Sequence, residues 1–555
     1  MKNLIIFCIL TVCAASAGAE EPTEVGRPLD IPPVLAGNFG ELRPNHFHSG
    51  LDFKTQGKTG HKIHAIDDGY VSRATVSPWG FGRAVYVVHP ETGLTSVYGH
   101  LETFSPDIDR RVRSAQYERE TFTIDLEFQP GDLPVKRGDV IALSGNAGSS
   151  FGPHLHMDIH DTATGDALDP MEFYIDYITD KTAPEVRHIG LYPYRQEGAV
   201  NGRNSPVILA KADASRGFTA WGKVYPAINA FDRMTGTANV YGVKYLILKV
   251  DGRQVYRRTI DRSPFETTRA VNTLADYADV VDRGRWMMKT EVPKTNPLPG
   301  MIEAENRGII DINEERDYRM EFILEDAHGN RTVQPFTVRG RRSALSFPHP
   351  KGNLLNFDGK HTYSVDGVRV EIPAGTLYDD INLSVTSAPS AQYLSDIHSI
   401  GNYADPLAGY ITITIPLKTD TLTDKSKYCL VRLSGKSRSA VESEYAGGAV
   451  TAKVNRFGRY AVTTDVTAPK VTPVTPERWN RGTVTFYIGD NLSGVDTYRG
   501  EIDGRFALFE LDGKSGRASF SMDPKLFSRN TRHTATMTVT DACGNSTTIS
   551  REFRW

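Results

Sequence analysis

Nine of the fifteen histidines fall between His46 and His160, so a site is sought in the front of the chain. Three stretches carry the chemistry: His48-Ser49-Gly50-Leu51-Asp52, Tyr98-Gly99-His100-Leu101 and Gly152-Pro153-His154-Leu155-His156. A catalytic zinc takes three protein ligands, commonly His and a carboxylate at about 2.0–2.2 Å, and keeps one position for water. His48, Asp52 and His156 supply two imidazoles and one carboxylate from two distant segments. Gly50 allows the tight backbone that brings residues four apart onto one ion. His154 and His100 are then left beside the metal and not on it. Metal-assisted amide hydrolysis needs such groups, one to take a proton from the zinc water and one to stabilise the developing oxyanion.

Position parity says which element presents them. His154, His156, Asp158 and His160 share one parity, and Leu155, Met157 and Ile159 share the other. On a strand, side chains two apart point to the same face, so one face packs on a core and the other lines a groove. His46-Phe47-His48 is a second His-x-His pair. Period-two alternation broken by Gly, Pro, Asn and Asp runs through most of the chain, which predicts an all-β fold. A hairpin is expected where His64-Ala65-Ile66 and Tyr70-Val71 flank Asp67-Asp68-Gly69. A second is expected where Val85–Val88 and Leu94–Tyr98 flank Pro90-Glu91-Thr92-Gly93. Tyr410 to Ile415 alternates until Pro416 ends the strand.

At these histidines the sequence resembles the M23 (LytM/lysostaphin-type) zinc metallopeptidases, whose signature is H-x-x-x-D, a lone histidine, then H-x-H. The resemblance covers about Gly40 to Ile159. It implies His48, Asp52 and His156 as zinc ligands, His100 and His154 as catalytic residues, a narrow groove over a small antiparallel sheet, and peptidoglycan cross-bridges as substrate. His154 as base and His100 as oxyanion partner is the expected division. Two departures stand out. Met157-Asp158 follows His156 where the family commonly has Phe-Glu, and extra sequence separates Leu101 from the turn at Pro134–Gly138. Within that insertion Phe122, Ile124, Leu126 and Phe128 alternate with polar residues, which predicts an edge strand, or alternatively a flap over the groove.

The 555 residues exceed what one hydrophobic core holds, and a net charge of -3 leaves no electrostatic footprint for nucleic acid. Met1–Ala19 reads as a signal peptide: Lys2, an apolar run from Leu4 to Val12, then small residues. No later stretch is apolar enough to span a membrane, so an exported protein is expected, periplasmic or at the cell surface. Of the four cysteines, Cys429 and Cys543 lie beyond that segment, far apart, and no structural disulfide is expected. Asp180-Lys181-Thr182-Ala183-Pro184 recurs as Asp465-Val466-Thr467-Ala468-Pro469, and Asp326-Ala327-His328-Gly329-Asn330 as Asp541-Ala542-Cys543-Gly544-Asn545. Asp251-Gly252-Arg253 recurs likewise as Asp503-Gly504-Arg505. Two Ig-like sandwiches are therefore expected at 180–340 and 465–555, after a peptidase module at 20–179 and around a β-rich unit of unassigned role at 341–464. Asp490-Asn491 with Asp496 offers carboxylates for calcium, although solvated turns explain them as well.

The reading is an exported zinc endopeptidase acting on peptidoglycan, with a D,D-endopeptidase bond favoured and protein partners possible through the Ig-like units. Two rivals remain: a non-catalytic wall-binding activator of another hydrolase, and a surface adhesin with a vestigial peptidase module.

Overall fold

The alternating segments become strands: about 49% of the chain is strand and 10% helix, as an all-β chain requires. The computed structural model describes residues 24–349 and 351–555, so the signal peptide expected at Met1–Ala19 lies outside the described residues. No helix among the described residues is long and apolar enough to cross a membrane.

The front module is built on strands β1 (Leu35–Gly37), β2 (Gly50–Lys54), β3 (Gly69–Val76), β4 (Arg83–His89), β5 (Leu94–Gly99), β6 (Ile124–Glu127) and β7 (His154–Asp161). Their order in the sheet is β1-β2-β7-β5-β4-β3-β6. β7 is central, pairing antiparallel with β2 on one side and β5 on the other. Its odd positions Leu155, Met157 and Ile159 are fully buried with Leu51, Phe53 and Tyr98. The even positions are thereby turned to the opposite face, where the histidines sit.

The hairpin at Pro90–Gly93 forms, joining β4 to β5. The one expected at Asp67–Gly69 does not. Lys62–His64 pairs with Val140–Ser144 in a separate three-stranded sheet that also holds Leu101–Phe104, while β3 pairs with β4. The link between them, Ala65-Ile66, is fully buried, and its backbone is held by Asp139, Gly138 and the Tyr98 hydroxyl. The turn residues thus carry the chain from one sheet to the other. Asp68 is tied there to Lys136 and to the Arg137 N–H.

The insertion contains the expected edge strand, β6, which pairs with β3 at the far end of the sheet from β2. It also contains a helix the alternation did not reveal, α1 (Pro106–Glu118). Its signals were present: Pro106 in the first turn, Asp107 and Asp109 against the positive end of the helix dipole, and Ile108, Val112 and Gln116 buried four residues apart. The insertion seats the last unit of the chain. Tyr117 meets Phe506 edge-on at 5.8 Å, and Glu120 pairs with Arg499 at 2.5 Å.

The second unit is a ten-stranded hydrogen-bonded network whose two longest strands are Glu185–Val200 and Phe218–Phe231. It is joined to the front module by the pairing of Arg262–Ser263 with Ala167–Leu168. Buried Lys244 adds a link, donating to Asp169 at 2.9 Å and Glu172 at 3.0 Å. The third unit has two five-stranded sheets, and the expected strand (Pro406–Pro416) buries Ile411, Ile413 and Ile415 completely. Two four-stranded sheets form the last unit around Trp479, Phe486 and Phe509. Cys429 and Cys543 are free thiols, both buried; distant in sequence, they meet where the third and last units join.

Candidate metal centre

The pairing of β7 with β2 sets His156 directly opposite Asp52. His48 enters from the bend before β2. Its Nδ1 donates to the Asn38 carbonyl at 2.6 Å, which leaves Nε2 as the free nitrogen. His48 Nε2 and His156 Nδ1 are 3.1 Å apart, and Asp52 Oδ1 lies 3.1 Å from the first and 2.8 Å from the second. Ligand atoms around a tetrahedral zinc stand roughly 3.3 Å apart, so the three atoms fit a zinc ion with only slight opening. All three residues are buried, at 2%, 7% and 3% exposure.

Two further residues shape this group. Asp158 accepts from His156 Nε2 at 2.6 Å, from Ser49 Oγ at 3.1 Å and from His160 Nε2 at 3.3 Å. A carboxylate behind a ligating imidazole fixes its tautomer and raises its basicity, and here Asp158 engages Nε2 while Nδ1 faces His48 and Asp52. Parity placed Asp158 on the groove face, but its tie to His156 needed the packed sheet. Arg43 Nη2 donates to Asp52 Oδ2 at 3.1 Å and to Glu41 at 3.0 Å, which engages the oxygen that does not face the imidazoles. No sequence signal marked Arg43.

Gly50 has a different reason from the one expected. It lies within β2 opposite Asp158, and a Cβ there would stand 2.2 Å from the Met157 carbonyl and 2.3 Å from Asp158 Oδ1. Glycine is required for close strand approach, not for a tight turn.

Burial alone would raise the Asp52 and Asp158 carboxyls. The imidazoles around them outweigh it and hold both well below the usual carboxylate range. Replacing Asp158 with Asn should lower zinc affinity about 10–100-fold while the fold is kept, read by competition with a chromogenic chelator.

His100 and His154 face each other, with ring centroids 4.7 Å apart. His100 Nδ1 is paired with the Ala147 carbonyl at 2.9 Å, and His154 Nδ1 with the Gly152 carbonyl at 2.8 Å and Ser150 Oγ at 3.1 Å. With Nδ1–H donating to a carbonyl, a neutral ring presents an Nε2 lone pair. His154 Nε2 lies 3.4 Å from Asp52 Oδ1. Burial, with the His156 and His154 rings beside it, pushes His100 down to about 3, so this ring is neutral at ordinary pH. His100 also holds a left-handed backbone, φ 59°, with its N–H on the Phe81 carbonyl. Strained non-glycine residues of this kind cluster at functional sites.

The last unit forms part of the rim. Lys514 Nζ donates to the Asn146 and Ser150 carbonyls at 2.6 and 3.0 Å, and Arg83 pairs with Glu510 at 2.7 Å.

Comparison with known proteins finds a matching family model, a similar bacterial protein and similar solved structures. Residues 352–465, the unit of unassigned role, match the family model of a Zu5-like domain. The chain is 33% identical over 132 residues to an uncharacterized metalloprotease of Haemophilus influenzae, covering 24% of this chain and 21% of that protein. It therefore spans about a fifth of the length of that relative. Among solved structures it is similar to the catalytic domain of the antimicrobial peptidase lysostaphin from Staphylococcus simulans, at 23% identity over 25% of this chain and 91% of that one (TM-score 0.19). It is also similar to a zinc containing peptidase from Vibrio cholerae, at 23% identity over 26% of this chain and 40% of that one (TM-score 0.18). Each of these three matches covers about a quarter of this chain.

Proposed function

We propose that the chain is an exported zinc metalloendopeptidase of the M23 type that hydrolyses peptide cross-links in peptidoglycan, with a D,D-endopeptidase bond favoured. The observation that carries the reading is the convergence of His48 Nε2, Asp52 Oδ1 and His156 Nδ1 within 3.1 Å of one another, beside the imidazoles of His100 and His154.

In this reading His48, Asp52 and His156 hold zinc, which when bound polarises water and the scissile carbonyl and leaves a position open for them. Asp158 keeps His156 in the ligating tautomer, and Arg43 keeps Asp52 turned so that one oxygen faces the ion. His154, fixed by Gly152 and Ser150, takes the proton at Nε2 and later delivers it to the leaving amine. His100 orients the reacting carbonyl from the other wall, and its hydrogen bond to the Ala147 carbonyl keeps Nε2 toward the groove. Phe81, stacked on His156 at 4.8 Å, keeps water from that side of the ligand.

Mass spectrometry of muropeptides after digestion of defined peptidoglycans tests the reading. Cross-linked dimers should fall to monomers, and a zinc chelator should stop it. Dimers that persist on every peptidoglycan, D-alanyl-linked and glycine-bridged alike, would sink it, and cleavage only of glycine bridges would move the bond.

A further inference from the structure

Among the described residues, carboxylates gather at two places outside the His–Asp–His group. Asp180, Asp232 and Asp326 each bring an oxygen within 4.8 Å of the others, and so do Asp465, Asp490 and Asp541. Four of the six are the aspartates of the repeated sequence motifs, and the two scaffolds correspond bond for bond. Asp326 Oδ1 accepts from the His328 and Asn330 N–H groups, while the Asn330 side chain donates to Asp326 Oδ2 at 2.8 Å and to the Asp180 carbonyl at 3.4 Å. Asp541 Oδ1 accepts from the Cys543 and Asn545 N–H groups, while the Asn545 side chain donates to Asp541 Oδ2 at 2.8 Å and to the Asp465 carbonyl at 3.1 Å.

Oxygens remain over in the first trio. Asp180 is 6% exposed and Asp232 2%, yet Asp180 Oδ2 and Asp232 Oδ1 have no hydrogen-bond partner. Both residues, with Asp326, line a cavity of about 20 Å³, which is room for one water-sized sphere. Unpartnered carboxylate oxygens at such depth are costly unless a cation meets them. Lys244 also lines the cavity, but its ammonium is directed to Asp169 and Glu172. In the second trio Asp490 Oδ1 is likewise without a partner.

We propose that the cavity of Asp180, Asp232 and Asp326 binds a calcium ion, and that Asp465, Asp490 and Asp541 form its second copy. A donor set of oxygen alone selects a hard cation. Calcium takes carboxylates at 2.3–2.6 Å in flexible geometry, whereas magnesium keeps several of its waters, for which this cavity has no room. Each ion would tie the segment entering a unit to the loops at one end of it. Asp180 precedes Glu185–Val200, Asp232 follows Phe218–Phe231, and Asp326 opens the turn after Asp317–Glu325. Calcium would thereby stiffen the joint between the front module and the second unit, independently of the peptidase chemistry.

Calorimetric titration of the full chain, freed of calcium on a chelating resin, with calcium chloride tests this. Two sites are expected, filled by roughly millimolar calcium, with a rise in melting temperature. Asp232→Asn, equal in shape and one charge less, should bind one ion fewer and lose part of that rise. Should it fail to fold by circular dichroism, Asp180→Asn replaces it, since an amide oxygen can keep the bonds from Thr182 and Thr235. No heat and no shift at roughly 10 mM calcium, undiminished binding by the Asn variant, or an equal response to magnesium would each overturn the proposal.

Discussion

His156→Ala is expected to remove zinc and hydrolysis together, with activity on peptidoglycan falling below detection and zinc content by mass spectrometry falling to background. The change deletes Nδ1, the atom 2.8 Å from Asp52 Oδ1 and 3.1 Å from His48 Nε2, and two ligands do not retain a catalytic zinc. It also strips Asp158, 1% exposed, of its shortest hydrogen bond, leaving a buried carboxylate short of a partner. Breaking a buried pair in this way costs about 3–5 kcal/mol, so the variant should also melt earlier. His48→Ala separates the two effects, because His48 donates its other nitrogen to a backbone carbonyl and the Asp52 carboxylate it leaves keeps His156 and Arg43 as partners. That variant should lose zinc with a smaller loss of stability. Full zinc content in either variant would show that the three residues do not share an ion.

His154→Ala should behave differently: zinc stays, and kcat falls about 10²–10⁴-fold, the usual contribution of a positioned acid–base group. Its Nε2 stands 3.4 Å from the Asp52 oxygen, outside the trio of close ligand atoms, and its Nδ1 is held by Gly152 and Ser150. His100→Asn is the matching change on the other wall, since asparagine tolerates the left-handed backbone at φ 59° better than alanine. It should also keep zinc and lower kcat. A pH–rate profile bears on His100: pushed down to about 3, this ring is neutral across the ordinary range, so replacing it should leave the shape of the profile unchanged. If His154→Ala loses zinc, or keeps kcat within a few fold, His154 is not the base.

Much of the site was legible because strand parity is local. His154, His156, Asp158 and His160 share a face whatever the strand pairs with, and Ile411, Ile413 and Ile415 announce a buried face in the same way. The types and spacing of the candidate ligands were legible for a similar reason, since zinc chemistry restricts which side chains can serve. Less was visible where a role depends on a neighbour from elsewhere. Arg43 looked like any surface arginine, and Gly50 looked like a turn glycine, until β2 lay against β7. At Asp67–Gly69 a good turn sequence lay between two alternating segments, yet those segments belong to different sheets. Helix α1 was hidden because its apolar residues are few and its Arg and Asp residues many, so the four-residue repeat of Ile108 and Val112 stood out only once buried.

The amino-acid sequence by itself determined the strand-rich character, the faces of the strands, the side-chain types of the candidate ligands and the repeated aspartate motifs. Those properties follow from side-chain type and from a period of two. Tertiary structure decided which strands are neighbours: His156 against Asp52 across 104 residues, the last unit against the insertion, and three aspartates of the second unit around one cavity. Backbone hydrogen bonds are the same for any pair of strands, so only the fit of buried faces selects the partner, and that fit belongs to the packed chain and to no segment of it.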